Sequence, residues 1–165
     1  MAVKHVNRKR QTFYLHESRT KTGKPKYFFS MKDDGVLVDS IPDGFEVYEN
    51  PDAQVFLRKK KPQFITDSEI AIVHEALRKH AKNQFCMADV REKHIVVYHS
   101  AGGYFYQKVL RFTLIDEDSR KFAAERWCFK GSIDDWIHLS GSGDLATLVK
   151  RYAPHIGKES FYELM

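Results

Sequence analysis

Between residues 12 and 16 apolar and polar side chains alternate, with Phe13 and Leu15 on one side and Thr12, Tyr14 and His16 on the other. That is the period-two pattern of a strand. A second apolar run, 27–31, follows a polar stretch, 17–26, that contains the turn sequence Thr22-Gly23-Lys24-Pro25. The two runs predict a hairpin with a long, basic tip. Asp33-Asp34-Gly35 and Pro42-Asp43-Gly44 mark further turns. Residues 45–49 and 54–60 read as another hairpin, because Asn50-Pro51-Asp52-Ala53 puts Asn and Pro at the first and second positions of a type I turn. This hairpin would place Phe45 and Val47 on the same side as Val55 and Leu57. Residues 1–11 lack any period and are expected to form a mobile basic arm.

Beyond Pro62 the period changes. Thr66 with Glu69 three residues on forms a capping box, and Ile70, Val73, Leu77 and Ala81 recur at helical spacing, so a helix is predicted over 67–82. Strands are predicted over 84–90, 94–99, 104–116 and 121–130. The run Ile95-Val96-Val97-Tyr98 suits a strand covered on both faces. Residues 132–139 read as one short helical turn, and Ser140-Gly141-Ser142-Gly143-Asp144 as a loop. Leu145, Leu148, Val149 and Tyr152 then define a last helix that Asp144 can cap and Pro154 ends, with 160–165 docked on the sheet.

Together these elements give an α+β fold of antiparallel hairpins and a meander. One central amphipathic helix and a C-terminal helix pack on the sheet. Lys61-Pro62 is the natural division, between a basic β-rich part, 1–62, and an α-β-β-β-β-α part, 63–165. At 165 residues the two are expected to form a single domain.

Composition adds that 42% of the residues are hydrophobic and 13% aromatic, enough apolar surface to offset the entropy of ordering the chain. Cys86 and Cys128 lack the spacing of a metal or redox motif. They are expected to be reduced core thiols in a cytoplasmic protein. The polar start of the chain and the shortness of every apolar run argue against a targeting segment or a membrane association.

Charge changes the picture most. The formal net charge is +5, yet residues 1–32 alone carry nine Lys and Arg against the single acid Glu17. Arg58-Lys59-Lys60-Lys61 forms a second cluster, and from residue 63 onward acids and bases balance. Cations at Arg8, Lys9, Arg10, Arg19, Lys21, Lys24, Lys26, Arg58, Lys59, Lys60 and Lys61 would suit a polyanion if they formed one surface. Nucleic acid is the foremost candidate, because Tyr14, Tyr27 and Phe28 lie among them. The expected function is therefore a non-catalytic binding module.

Other chemistry is sparse. Asp134, Asp135 and His138 would share one helical turn, so a carboxylate could orient the imidazole as a general base. A small hydrolase built on them is one alternative. The Gly-rich 140–144 run before a helix suits phosphate geometrically, but lacks the Lys-Ser/Thr of a P-loop. The helical spacing of His74 and His80 and the strand parity of His94 and His99 keep either pair from chelating a metal within its own element. No cofactor or metal is expected. The remaining alternative is a protein-interaction or homo-oligomeric module that uses the aromatic hairpins or the tail residues Phe161, Leu164 and Met165.

Overall fold

A computed structural model describes residues 1–80, 85–128 and 134–165. The chain divides into two compact units, Met1–Lys61 and Pro62–Met165.

The first unit is all β. Strands β1 (Lys4–Val6), β2 (Thr12–Arg19) and β3 (Pro25–Ser30) form an antiparallel sheet in that order, and β4 (Phe45–Glu49) pairs with β5 (Val55–Lys59). Phe45 opposes Lys59, Val47 opposes Leu57 and Glu49 opposes Val55, so the expected facing holds. The expected arm is corrected: Lys4, His5 and Val6 pair with Tyr14, Phe13 and Thr12. A strand of three residues is too short to display a period, and its turn contains neither Gly nor Pro. Where β1 leaves off, the 36–38 segment takes over the same edge of β2: the Glu17 N–H donates to the Val36 carbonyl and the Val38 N–H to that of Leu15. Leu15 is fully buried beneath this ring of strands.

Two turns of identical form hold this unit. In Asn7–Gln11 the Asn7 side-chain oxygen accepts from the Gln11 N–H at 2.8 Å, and its amide nitrogen donates to the Gln11 side chain at 2.9 Å. In Asn50–Gln54 the same bonds run at 2.9 and 2.7 Å. Each turn has its fourth residue in the left-handed region, Arg10 at φ 62° and Ala53 at φ 65°. The two turns are joined, since the buried Asn7 amide also donates to the Ala53 carbonyl at 2.9 Å.

The second unit begins with α1 (Asp67–His80). Its capping box is formed in both directions: the Thr66 N–H donates to Glu69 at 2.9 Å and the Glu69 N–H to the Thr66 hydroxyl at 3.2 Å. The expected extension to residues 81–82 lies outside the described residues, as do Gln84, Lys130 and Ser132. Five antiparallel strands follow as a meander, β6 (Phe85–Arg91), β7 (His94–Ser100), β8 (Gln107–Asp116), β9 (Lys121–Cys128) and β10 (Asp135–Asp144). Residues 104–106, expected at the start of β8, precede it.

The fifth strand corrects two expectations. Residues 135–139 are extended rather than helical, and 140–144 continue the strand rather than forming a loop. β10 is an edge strand, where register shifts and glycine are tolerated, and shifts on both sides of Ser140 blur its alternation. Gly143 has a packing role: a Cβ there would come within 3.3 Å of Leu148.

Helix α2 (Leu145–Tyr152) follows directly, capped by Asp144, which accepts from the Thr147 N–H. α1 and α2 cover one face of the sheet, where Val73, Leu77, Ile95, Leu110, Phe112, Phe122, Leu148 and Tyr152 form the core. The tail closes it. Phe161 is buried, and the carbonyls of Tyr162 and Leu164 accept from the buried Arg126. On the opposite face the register sets Tyr98 beside Lys108 and Trp127 beside Trp136, with Val96, Arg111, Glu125 and His138 in the adjacent row.

Arg120 ties the helix start to the β8–β9 reversal. Its guanidinium binds both Glu69 oxygens, one at 3.1 Å, and donates to the Phe64 carbonyl at 2.9 Å. Burial works to raise the Glu69 pKa, but Arg120 and the Thr66 donors outweigh it and hold the carboxyl below its ordinary 4.5.

Replacing Asn7 with Ala removes three hydrogen bonds from a buried site and is expected to cost about 1–3 kcal/mol, whereas Arg10→Gly relieves a left-handed backbone and gains about 1 kcal/mol. Chemical denaturation of the variants checks both signs. The Glu69 contribution is fully present above pH 4.5 and is lost as pH falls through its lowered folded-state value. Glu69→Gln therefore loses about 1–2 kcal/mol at neutral pH, and its stability declines less steeply in acid than that of the parent chain.

Candidate functional site

Cations in the first unit fall at its two ends. β2 runs about 24 Å from Thr12 to Arg19, which separates the Asn7–Gln11 turn from the tip of the β2–β3 hairpin. That tip is another five-residue reversal: the Thr20 N–H donates to the Lys24 carbonyl at 2.8 Å, and Gly23 supplies the left-handed residue at φ 82°. Arg19, Lys21, Lys24 and Lys26 project from it, all exposed.

The second basic cluster meets this tip. The Tyr27 ring lies 6.1 Å from that of Phe45, and Phe45 sits directly across from Lys59. Lys60 follows, its N–H donating to the Gly44 carbonyl at 2.8 Å. Lys59, Lys60 and Lys61 are all exposed, and the Tyr27–Phe45 contact sets the end of β5 beside β3, the strand that leaves the β2–β3 tip. Among the described residues no carboxylate pairs with Arg19, Lys21, Lys24, Lys26, Lys59 or Lys60. Glu17, opposite Tyr27 in the register, and the exposed Asp43, next to the Gly44 that accepts from Lys60, are acids in this neighbourhood. On the outer face of β3, two residues from Lys26, Phe28 is 41% exposed with one ring face stacked on His16 at 5.1 Å.

Arg8, Lys9 and Arg10 are at the far end, so the eleven-cation surface divides. Arg8 is also engaged: its backbone N–H donates to Glu49 at 2.7 Å, and its guanidinium binds the same carboxylate at 3.5 Å and the Asn50 carbonyl. His5 reaches the other Glu49 oxygen at 3.1 Å. Burial favours the neutral Glu49 acid, but these donors prevail and keep it ionised below its ordinary range. Arg58 is likewise occupied, 3.0 Å from Glu46 and 4.0 Å above the Tyr48 ring. Thus Arg8 and Arg58 hold the unit together, while Lys59 and Lys60 are exposed.

Asp134, Asp135 and His138 lose the geometry that suggested chemistry. In a strand, His138 shares a face with Trp136, and Asp135 points to the other. Asp135 instead accepts from the Trp136 N–H at 2.7 Å, and Asp134 precedes the strand. Among the described residues neither Asp134 nor Asp135 bonds the imidazole, and His138 stands opposite Glu125 instead. The N-terminus of α2 is filled by its own cap, since Asp144 accepts from both the N–H and the hydroxyl of Thr147. Burial pushes the Cys86 thiol up to about 11, which favours its protonated form at neutral pH. Among the described residues no three His, Cys, Asp or Glu side chains stand close enough to hold a metal ion, and no helix is long and apolar enough to cross a membrane. The tail residues Phe161 and Leu164 pack into the second unit's own core, leaving Met165 exposed.

Sequence reasoning identified the cations but not which of them were engaged, because the partners Glu46, Glu49 and Asn50 depend on strand register. It also missed the face carrying Trp127 and Trp136. The missing signal was the Trp136/His138 alternation across β10, masked by the glycines that follow. Comparison with known proteins returns nothing: no family model, no curated protein and no solved structure matches the chain.

Proposed function

We propose that the first unit binds a polyanion through the end formed by the β2–β3 tip and the end of β5, and that the polyanion is single-stranded nucleic acid. One observation supports the reading: Arg19, Lys21, Lys24, Lys26, Lys59 and Lys60 are exposed and without carboxylate partners among the described residues, on strands that the Tyr27–Phe45 contact sets side by side. Like charges crowded on a small surface repel one another, and an anion with regularly spaced phosphates relieves that repulsion while releasing counterions. Phe28 favours a nucleic acid over a featureless anion. Its exposed ring stands beside Lys26, where a base can stack while its phosphate meets the ammonium.

Protein contact is a second reading. It is favoured by the exposure of Phe85, Tyr104 and Phe105 at 52, 77 and 83%, since exposed aromatics are typical anchors of an interface.

Binding of a labelled single-stranded oligonucleotide tests the proposal through its salt dependence. Five or so phosphate contacts predict a loss of about 100-fold in affinity between about 50 and about 200 mM salt. Salt-insensitive binding, or none, removes the proposal. Changing Lys21, Lys24 or Lys59 to Ala is expected to lower the salt slope by about 0.7 each. Arg8→Ala and Arg58→Ala leave that slope unchanged and lower stability instead, which denaturation detects. The opposite pattern, with Arg8 and Arg58 setting the slope, would move the interface off the proposed end.

A further inference from the structure

The sheet of the second unit is covered on one face only by elements of that unit. Its helix-covered core is built without either of the chain's two tryptophans, although tryptophan brings the largest apolar surface of any side chain. Both lie on the opposite face, half-buried, edge to face at 5.2 Å and 72°. Cations cover these rings. The Lys108 ammonium is 3.8 Å from the centre of Trp127 and 5.9 Å from that of Trp136. The Arg111 guanidinium is 4.4 Å from the centre of Trp136, while its Nε donates to Glu125 at 2.9 Å. Lys108 has no carboxylate partner among the described residues. Tyr98 stands opposite Lys108 and extends the aromatic row to a further strand.

We infer that this face is a stacking platform for the bases of single-stranded nucleic acid. A cation above an exposed ring is held weakly, and a base stacked on an indole is held more tightly. A base can therefore displace the ammonium from Trp127, and Lys108, on its flexible stem, turns to the phosphate of the same nucleotide. Arg111 stays with Glu125, which keeps Trp136 oriented beside the incoming base. The pairing of free cation and adjacent indoles matches the two halves of a nucleotide, an anion and a flat ring. A duplex offers its phosphates but keeps its bases stacked inside, so it cannot use the rings. The inference rests on residues of the second unit alone and stands or falls independently of the first unit's cationic end.

Because the chain has only these two tryptophans, its tryptophan emission reports on this face directly. Titrating the full chain with a single-stranded thymidine oligonucleotide is expected to quench that emission to saturation. A duplex of the same length at the same concentrations leaves it unchanged. Trp127→Ala is expected to weaken single-strand binding, followed by anisotropy of a labelled strand, by roughly 5- to 100-fold. Trp127→Phe keeps a π-face and retains most of the affinity. Lys108→Glu weakens binding and can be read even if Trp127→Ala does not fold. Charge reversal at Lys21 and Lys24 lowers affinity if the first unit also binds, yet leaves the saturating quench intact. If reversal there has no effect while quenching persists, the first unit's reading fails and this one stands. Binding without quenching, equal quenching by the duplex, or Lys108→Glu and Trp127→Ala that both bind like the parent chain overturns the platform. So does an absence of binding.

Discussion

Antiparallel strands joined by loops of a few residues must reverse direction sharply, and each sharp reversal places one residue in the left-handed backbone region. In this chain that residue is glycine at the β2–β3 tip, but it is Arg10, Ala53, Glu92 and Arg120 at four other reversals. Each such residue carries a cost of about 1–2 kcal/mol that glycine would avoid, and neighbouring side chains offset it. Asn7 and Asn50 hold their turns through reciprocal amide bonds with Gln11 and Gln54. Asp116 accepts from the N–H groups of Asp118 and Ser119. Arg120 is itself fastened to Glu69 and Phe64. The reversals at Arg10, Ala53 and Arg120 are therefore cross-linking points as well as turns.

This arrangement decides which charges remain available. At the joined turns of the first unit Arg8 is fixed by Glu49 and Asn50. The planar fork of an arginine suits such fixed, multiple bonds, whereas a lysine ammonium on its long stem stays hydrated. The same contrast holds at the other end of the unit, where Arg58 is fixed by Glu46 and Tyr48 and its neighbours Lys59 and Lys60 are not. Within the Arg58–Lys60 run side-chain type thus separates the engaged cation from the exposed ones, although Arg10 and Arg19 are arginines that stay exposed.

What could be read from the sequence follows from how local the determining physics is. The capping box at Thr66 and Glu69, the Asn50-Pro51 turn and the Leu145–Tyr152 stripe are complete within a few residues, and each appears as predicted. β1 and β10 were not legible. β1 exists because β2 supplies its partners, and β10 reads as helix and loop because an edge strand needs no strict alternation. The charge bias was plain, but its division between two ends required knowing that β2 keeps the Arg8 turn and the Arg19 tip apart. The Glu69–Arg120 bond spans 51 positions and has no sequence signature at all.

A sheet whose helices lie on one side leaves a second face that something must solvate or cover. Polar alternation would be enough, and Thr113, Arg111 and Glu125 provide it toward one end of the face. Toward the other end the chain instead places Tyr98, Trp127 and Trp136, with Lys108 and Arg111 lying across the indoles. Cation–π contacts of this kind lower the cost of exposing aromatic surface without fixing it in place, since each is worth only about 0.5–1 kcal/mol where water has access. A face built for stability alone would gain more from β-branched residues and threonine, which pack on a pleated surface and need no cation to cover them. Two large rings, one held by Arg111 and the other under the replaceable Lys108 ammonium, suit a reversible ligand with its own ring and charge.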